Sequence, residues 1–573
     1  MSSNSSSLHW KVAGLAGEGI DVTGIMFGKM CLRHGMNVFS YREYPSLIRG
    51  GHNTHQVHAS FDPLTSQQKH IDVLVAFTEE GISLHLDELN ENSVVLCEAS
   101  LGKYDTNTYA STGATFYDVP LTIMSREETG HFLAQNVVAL GMSAWLLGLD
   151  IQTLTQIIAD QFHEKSEEVV ASNHRAMNRG YSYAKEHFPP LKEPYAKIPK
   201  PQLLLSGNQA VALGALSAGV QYFSAYPMTP TSDILSVLAS QQKNYPLVVK
   251  HAEDEISAIN QAIGASYAGV RAMTASATGG YALMVEATSL AAVMETPLVV
   301  CVGQRPGPAT GLPTWTCQSD LQFILNSGHG ECPRVVLTPA TVEEHFTSTR
   351  LAFYLAEKYH LTVFILSDKF SLESYASMPQ PDDEYHNDRF SFAKDPLPED
   401  DSYRRFEVTD EGYSPRSIPG QPHGLSITNS YEHDELGYAT ESAELTKKMN
   451  EKRHRKLISV AKEAPQPILV GYPAAETTLV CWGSTRLVLD DVVRAVPEKY
   501  NYIYFPCVSP FPKEEFTKMA HAAQRLIVVE GNINGQLEQV IRQETGIIAS
   551  DRLRRYDGRP FYAEEVIAEL AQK

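Results

Sequence analysis

The sequence predicts a multi-domain α/β protein, and three observations carry that expectation. Between Ser224 and Pro306, short apolar runs alternate with helical stretches and small-residue turns. This is the order of a parallel sheet whose ligands sit at the carboxyl ends of its strands. Segments with the same alternation lie on both sides of it. Between the segments stand PPLKEPYAKIPKPQ, rich in proline and lysine, and a polar, acidic, proline-bearing stretch beyond Met378. Four regions follow: an α/β segment over 1–190, a core α/β segment over 200–378, an extended arm over 379–455 and a further α/β segment over 456–573.

In chain order, Trp10 to Gly14 reads as a strand, and Gly14-Leu15-Ala16-Gly17-Glu18-Gly19 turns into a helix. A glycine loop opening a helix can hold an anion, because free backbone N–H groups point outward there. The spacing is not that of the dinucleotide fingerprint, so phosphate site and plain tight turn both stay open. Asn37 to Tyr41 is a strand, followed by Arg42-Glu43-Tyr44-Pro45 and Arg49-Gly50-Gly51-His52-Asn53. Glycines beside Arg49 and His52 suit a loop approaching a negative ligand, or a charged surface loop. Ile71 to Phe77 and Ser93 to Cys97 are buried strands, and Ala134 to Leu147 is an apolar helix.

In the core segment, Tyr226 to Pro230 sets Met228-Thr229 between prolines, which disfavours helix just before each proline. Thr231 or Ser232 can cap a helix from Asp233. The strand Leu247-Val248-Val249 leads to Glu253, Asp254 and Glu255, acids that complement the start of a helix. That helix carries Ile256, Ile259 and Ile263, and its small residues Ala258, Ala262, Gly264 and Ala265 predict a closely packed neighbour. Val270 to Ala275 is the next strand, and Gly279-Gly280 the turn after it. In the arm, Glu432-His433-Asp434 offers metal-ligand types but reads as a solvated run. The last segment has strands at Thr478 to Trp482, Tyr502 to Phe505 and Leu526 to Glu530, and Gly531 to Gly535 leads into a helix.

Composition narrows the class. At 573 residues the chain holds about three to four domains of roughly 100 to 200 residues each. A net charge of −20 argues against a nucleic-acid partner. No apolar run of about 18 residues points to a membrane span, and MSSNSSSLHW lacks a secretory pattern, so the expected location is cytoplasmic. None of the seven cysteines forms a Cys-x-x-Cys pair, so no zinc or iron–sulfur ligand set, and no metal site, is expected in this chain.

Several long runs occur together: YPMTPTSDI, Glu255 nine residues before Gly264, ETPLVVCVGQRPGPATGLPT, the earlier GLAGEGIDVTG and YREYPSLIRGGHNT, and the late VEGNINGQLEQVI. Together they resemble, over almost the whole chain, the α subunits of 2-oxoacid:ferredoxin oxidoreductases with a γ-type domain fused in front. One departure is Ser276-Ala277-Thr278-Gly279-Gly280, where the family commonly has a Thr-Ser-Gly-Pro-Gly-like turn. The resemblance implies a γ-type domain over 1–190, a thiamine-diphosphate pyrimidine-binding domain over 200–378 and a transketolase-C-terminal-like domain over 456–573.

It also implies roles. Glu255 would be the catalytic carboxyl at the cofactor's pyrimidine ring, with Glu253 and Asp254 as runners-up. Tyr226, Pro227 and Gly279 would line the cofactor. Thr229 and Arg305 would hold the substrate carboxylate, a guanidinium suiting bidentate pairing. Arg49 or His52 would supply a second cation for the far end of a dicarboxylate. No Gly-Asp-Gly followed by Asn is present to carry the diphosphate and Mg²⁺. The resemblance therefore assigns Mg²⁺ and a [4Fe–4S] cluster to a β subunit, with thiamine diphosphate shared and coenzyme A as co-substrate. The implied reaction converts 2-oxoglutarate to succinyl-CoA and CO₂, reversibly, with electrons to ferredoxin, in a dimer of αβ heterodimers. Alternatives are pyruvate or branched-chain specificity, a scaffold subunit without activity, and an NAD(P)-linked oxidoreductase resting on the Gly14–Gly19 loop.

Overall fold

A computed structural model describes the chain apart from residues 1–6, 48–49, 102–108, 196–197, 199, 201, 382–387, 395 and 400–402. The described residues form two compact units. One comprises 1–205, 374–381 and 562–573, and the other 206–373 and 382–561.

The first unit is built on β1 (Ser7–Leu15), β2 (Asn37–Glu43), β3 (His52–Ser60), β4 (Val73–Ala76), β5 (Val94–Glu98), β6 (Thr115–Val119) and β7 (Gln202–Ser206). With the strand Tyr375–Pro379 they make one sheet in the order β6-β5-β4-β1-β3-β2, then Tyr375–Pro379, then β7. The sheet is mixed: β1 pairs parallel with β4 and antiparallel with β3. Its core runs through Trp10, stacked on Phe27 at 4.4 Å, with the indole N–H donating to Ser143 Oγ at 2.9 Å. Strand β3 was not expected from the sequence, because HNTHQVHAS has no apolar alternation. It is nonetheless buried on both faces, and His55 and His58 find partners outside the strand, His58 Nδ1 meeting Ser66 O at 2.8 Å. His55 meets Asp21 Oδ1 at 2.9 Å and Ser40 Oγ at 3.0 Å. Gly24 gives that imidazole its space, since a Cβ there would lie 2.6 Å from His55 Nδ1.

The second unit carries β8 (Tyr222–Ala225), β9 (Val248–His251), β10 (Ala272–Ala277), β11 (Leu298–Gln304), β12 (Arg334–Leu337) and β13 (Thr362–Asp368) in the order β12-β13-β11-β10-β8-β9. All these pairs are parallel, and Cys507–Ser509 adds an antiparallel edge beside β12. From β8 the chain moves outward to β9, and from β10 outward the other way to β11. The crevice where the direction reverses lies at the carboxyl ends of β8 and β10. A second, five-stranded sheet runs from Ile468–Gly471 to Asp551–Arg554. Gln318 joins the two sheets. Its amide N–H₂ donates to Trp482 O at 2.8 Å, and its Oε1 accepts from Thr485 Oγ1 at 2.7 Å and Gly531 N at 2.9 Å.

Two expectations are corrected here. The arm is not extended to its end: Ala443–Glu463 is a 21-residue helix. Its polar sequence hid the period because the buried positions include Lys452, Arg453 and Lys456, with Lys452 and Lys456 paired to the fully buried Glu295 at 2.7 and 2.5 Å. Nor is the helix Glu255–Tyr267 closely packed along all its small residues. Ala258 and Ala262 are buried, but Gly264 is exposed with nothing within 4 Å of a Cβ, and Ile256 is 50% exposed.

Candidate active site

The crevice of the second unit gathers the turns that follow four neighbouring strands. The turn 226–231 follows β8, the acidic run follows β9, 278–280 follows β10 and 305–311 follows β11. Parallel strands deliver their following residues to one edge, so positions far apart in sequence meet there.

The three acids are sorted by the local fold. Asp254 is the N-cap of the helix Glu255–Tyr267, its Oδ1 accepting from Ser257 N at 2.7 Å. Glu253 is exposed to solvent. Glu255 is 4% exposed, and its Oε1 is buried without a hydrogen-bond partner. A buried carboxyl oxygen left unpaired costs of the order of 1–3 kcal/mol, so such an atom points to a ligand group. Opposite it lies Gly280, in the helical turn Thr278–Tyr281. A Cβ on Gly280 would stand 2.6 Å from Glu255 Oε1 and would collide with Ser276 Oγ. Gly279 is exposed at the same rim, with Ala309 O the nearest atom to its missing Cβ at 3.9 Å.

The turn after β8 is held from two sides. Asn208 Nδ2 donates to Pro230 O at 2.8 Å, and Arg305 Nη1 donates to Thr229 O at 2.9 Å. Gly303 on β11 makes room beneath, since a Cβ there would meet Pro230 Cγ at 2.6 Å. Thr231 precedes the helix Ser232–Gln241 without capping it, its hydroxyl donating instead to Met228 O at 3.0 Å. Arg305 is half-buried, and burial lowers its pKa from the ordinary arginine value. Tyr226 and Pro227 are exposed at the mouth, with Tyr226 edge-on to His251 at 6.1 Å. Thus Glu255, Thr229 and Arg305 lie in one crevice with Tyr226, Pro227 and Gly279 at its rim. Gly280, Gly303 and Asn208 complete it. Gly280 stood in a recognised glycine turn, but nothing in the sequence tied it to Glu255; Gly303 stood in the run ETPLVVCVGQRPGPATGLPT without a role of its own, and Asn208 carries no sequence signal.

Other sequence-predicted residues lie in the first unit. Arg49 is outside the described residues. His52 Nε2 meets His85 Nε2 at 2.9 Å, and burial followed by the nearby His85 and Lys11 lowers its pKa to about 4. That shift disfavours the charged imidazole that the expected second cation would need. In the Gly14–Gly19 loop, Leu15 N donates to Glu18 Oε2 at 2.6 Å, so the loop folds around its own carboxylate. In the arm, His433 is buried and engaged at Asp434 O and Val293 O, and Glu432 pairs with Arg453. Among the described residues no group of three or more His, Cys, Asp or Glu side chains could hold a metal ion.

Comparison with known proteins gives these features a context. The family model "Pyruvate flavodoxin/ferredoxin oxidoreductase, thiamine diP-bdg" matches residues 213–452, and "Pyruvate ferredoxin/flavodoxin oxidoreductase" matches residues 9–183. The 2-oxoacid:ferredoxin oxidoreductase subunit alpha of a Sulfolobus species is 31% identical over 98% of this chain and 96% of its own length. The 2-oxoglutarate oxidoreductase subunit KorA of Mycobacterium tuberculosis is 28% identical over 97% of this chain and 90% of its own. A solved structure of 2-oxoglutarate:ferredoxin oxidoreductase from Magnetococcus marinus, with 2-oxoglutarate, coenzyme A and succinyl-CoA bound, superposes with a TM-score of 0.92 at 31% identity, covering 99% of both chains.

Fold and matches define a class, the thiamine-diphosphate-binding subunits of ferredoxin- or flavodoxin-linked oxidoreductases. Within it, this chain belongs to the 2-oxoacid:ferredoxin oxidoreductase family, whose α subunits it matches over nearly its whole length.

Proposed function

We propose that the chain serves the CoA-dependent oxidative decarboxylation of 2-oxoglutarate to succinyl-CoA and CO₂, reversibly, with electrons passing to ferredoxin. The observation that carries the reading is the buried, unpartnered Oε1 of Glu255 in the β8–β10 crevice. It fits the pyrimidine ring nitrogen of thiamine diphosphate, a polar ligand atom that can share a proton with a carboxyl group. The cofactor, when bound, supplies the nucleophilic carbon and the electron sink for decarboxylation. Glu255 holds the proton at the ring nitrogen, in a place that burial keeps dry and Gly280 keeps open.

Thr229 and Arg305 bind and orient the 2-oxo carboxylate. The Arg305 bond to Thr229 O fixes one arm of the guanidinium on the turn, leaving the fork's other donors to the substrate. Tyr226, Pro227 and Gly279 frame the entrance. For the far carboxylate, Arg49 is the candidate in this chain. A β-type partner subunit brings the diphosphate grip, Mg²⁺ and the [4Fe–4S] cluster, in a cytoplasmic dimer of αβ heterodimers. What supports the partner is the absence of a Gly-Asp-Gly motif and of clustered cysteines in the sequence, together with the exposed apolar side chains Ile256, Leu283 and Leu312 on elements that border the crevice. No helix of the described residues is long and apolar enough to cross a membrane.

The test is co-expression with a β-type subunit, followed by CoA-dependent dye reduction across a panel of 2-oxoacids. The reading expects the highest kcat/KM with 2-oxoglutarate. Equal or better turnover of pyruvate would remove the substrate assignment. Full activity of Glu255→Ala would remove the site.

A further inference from the structure

The first unit contains a string of titratable side chains that the carboxylate-binding role does not use. His52 Nε2 faces His85 Nε2 at 2.9 Å, and His85 Nδ1 faces Glu88 Oε1 at 2.9 Å and Lys11 Nζ at 3.3 Å. Lys11 is also ion-paired with Glu88. Lys11 and His85 are buried, and they come from β1 and from the turn before the helical turn Leu86–Glu88. The far end of the string is His52 Nδ1, buried and without a hydrogen-bond partner among the described residues.

The order of protons along this string follows from its fixed end. Burial alone would raise the Glu88 carboxyl, but the Lys11 ammonium and His85 hold it down at about 2, so Glu88 is a carboxylate and can only accept. His85 Nδ1, closer to Glu88 than to Lys11, therefore carries its proton toward Glu88. On a neutral ring, that leaves His85 Nε2 as an acceptor. His52 Nε2 must then be the donor across the 2.9 Å contact, and His52 Nδ1 is left with a lone pair.

We infer that Glu88 and His85 are positioning residues that fix His52 as a hydrogen-bond acceptor at Nδ1, so that its ligand is a donor-bearing co-substrate and not a carboxylate. The inference rests on the reading given under Proposed function. Of the reactants named there, a 2-oxodicarboxylate offers only acceptors at neutral pH. Coenzyme A offers a thiol S–H and the amide N–H groups of its pantetheine arm. His52 thus serves the thiol co-substrate. Lys11 on β1 and Glu88 and His85 on the adjoining segment are the charged and titratable groups facing His52 among the described residues.

The test uses the chain assembled with its partner subunit and reads two KM values separately, alongside calorimetric binding of coenzyme A. His52→Asn sets an amide oxygen where Nδ1 stands, whereas His52→Gln sets its amide where Nε2 stands. The expected result is a KM and Kd for coenzyme A within about threefold of the parent in His52→Asn and raised about tenfold in His52→Gln, the loss of one neutral hydrogen bond. His85→Phe is expected to match His52→Gln, with the KM for the 2-oxoacid unchanged in all three. Should His85→Phe fail to fold, the two His52 variants decide alone. A KM for the 2-oxoacid that rises in these variants, or that falls in the parent as pH drops from 7 to 5.5, marks His52 as a cation and overturns the inference. Unchanged coenzyme A affinity in His52→Gln overturns it equally. Absence of turnover with every 2-oxoacid, while calorimetry still separates the two His52 variants, would instead refute the reaction and leave this role standing.

Discussion

Replacing Gly280 by alanine puts the Glu255 assignment under direct strain. The added methyl would lie 2.6 Å from Glu255 Oε1 and 3.0 Å from its Cγ, and closer still to Ser276 Oγ. Carbon and oxygen do not pack at 2.6 Å, so either the carboxyl or the turn Thr278–Tyr281 must shift by several tenths of an ångström. The helix start that fixes Glu255 is anchored by the Asp254 cap, and the backbone of Ser276 is held by its pairing with Val302 on β11. The carboxyl is thus the group that moves. A hydrogen bond involving a charged group is worth about 1.5–3 kcal/mol. Losing it corresponds to a fall in thiamine diphosphate affinity of roughly 10- to 150-fold, at about 1.4 kcal/mol per tenfold. The assay is a thiamine diphosphate titration of CoA-dependent dye reduction in the assembled enzyme, beside a thermal melt of the same preparation. Gly264→Ala is the control on the same helix: nothing lies within 4 Å of its new Cβ, and the exchange stabilises an exposed helix position by up to about 1 kcal/mol. Unaltered cofactor affinity in a folded Gly280→Ala enzyme would refute the idea that this glycine gives Glu255 its working space.

Further outcomes follow from the same geometry. Glu255→Gln should lower kcat by about 10²- to 10⁴-fold, the usual worth of a positioned acid–base group, while the melting temperature holds or rises as a buried unpaired carboxyl oxygen is lost. Arg305→Lys gives up the fork that spans Thr229 O and the substrate, and should raise the KM for the 2-oxoacid about tenfold with kcat little changed. Gly24→Ala drives a methyl into the His55 ring and should cost about 1–3 kcal/mol in the first unit, read as a lower first transition in calorimetry. Acid should weaken the second unit through His345, whose burial lowers its pKa from 6.5 to about 4. Between those values the unfolded chain binds the proton and the folded one does not, so stability falls as pH drops from 6.5 toward 4. The loss is about 3 kcal/mol at the lower end, and His345→Gln should flatten that slope.

Much of this molecule was legible in its sequence where local chemistry and global fold agree. The strand expected at Val270–Ala275 forms two residues further on, at Ala272–Ala277, and Leu526–Glu530 is a strand as its apolar run suggests. The turn at Tyr226–Pro230 announced itself through its prolines. What stayed hidden depends on partners far along the chain. The histidines of β3 look like a polar loop until Asp21 and Ser40 are seen to satisfy His55. The helix Ala443–Glu463 looks like a solvated arm until Glu295 is found between Lys452 and Lys456. The choice among Glu253, Asp254 and Glu255 rested on spacing alone in the sequence. In the fold it rests on which carboxylate is spent on the cap and which is enclosed.

Gln318 carries a consequence for anyone who would divide this polypeptide. Its backbone N–H donates to Gly531 O at 2.8 Å, its carbonyl accepts from Asn532 Nδ2 at 3.0 Å, and its side chain bonds Trp482, Thr485 and Gly531. Expressing the stretch up to residue 373 apart from the one beyond residue 467 would strand all five bonds at a freshly exposed apolar face, with Trp482 opened to water beside them. Each half would then be a sticky, half-finished object, so the two sheets are inherited, made and lost as one piece.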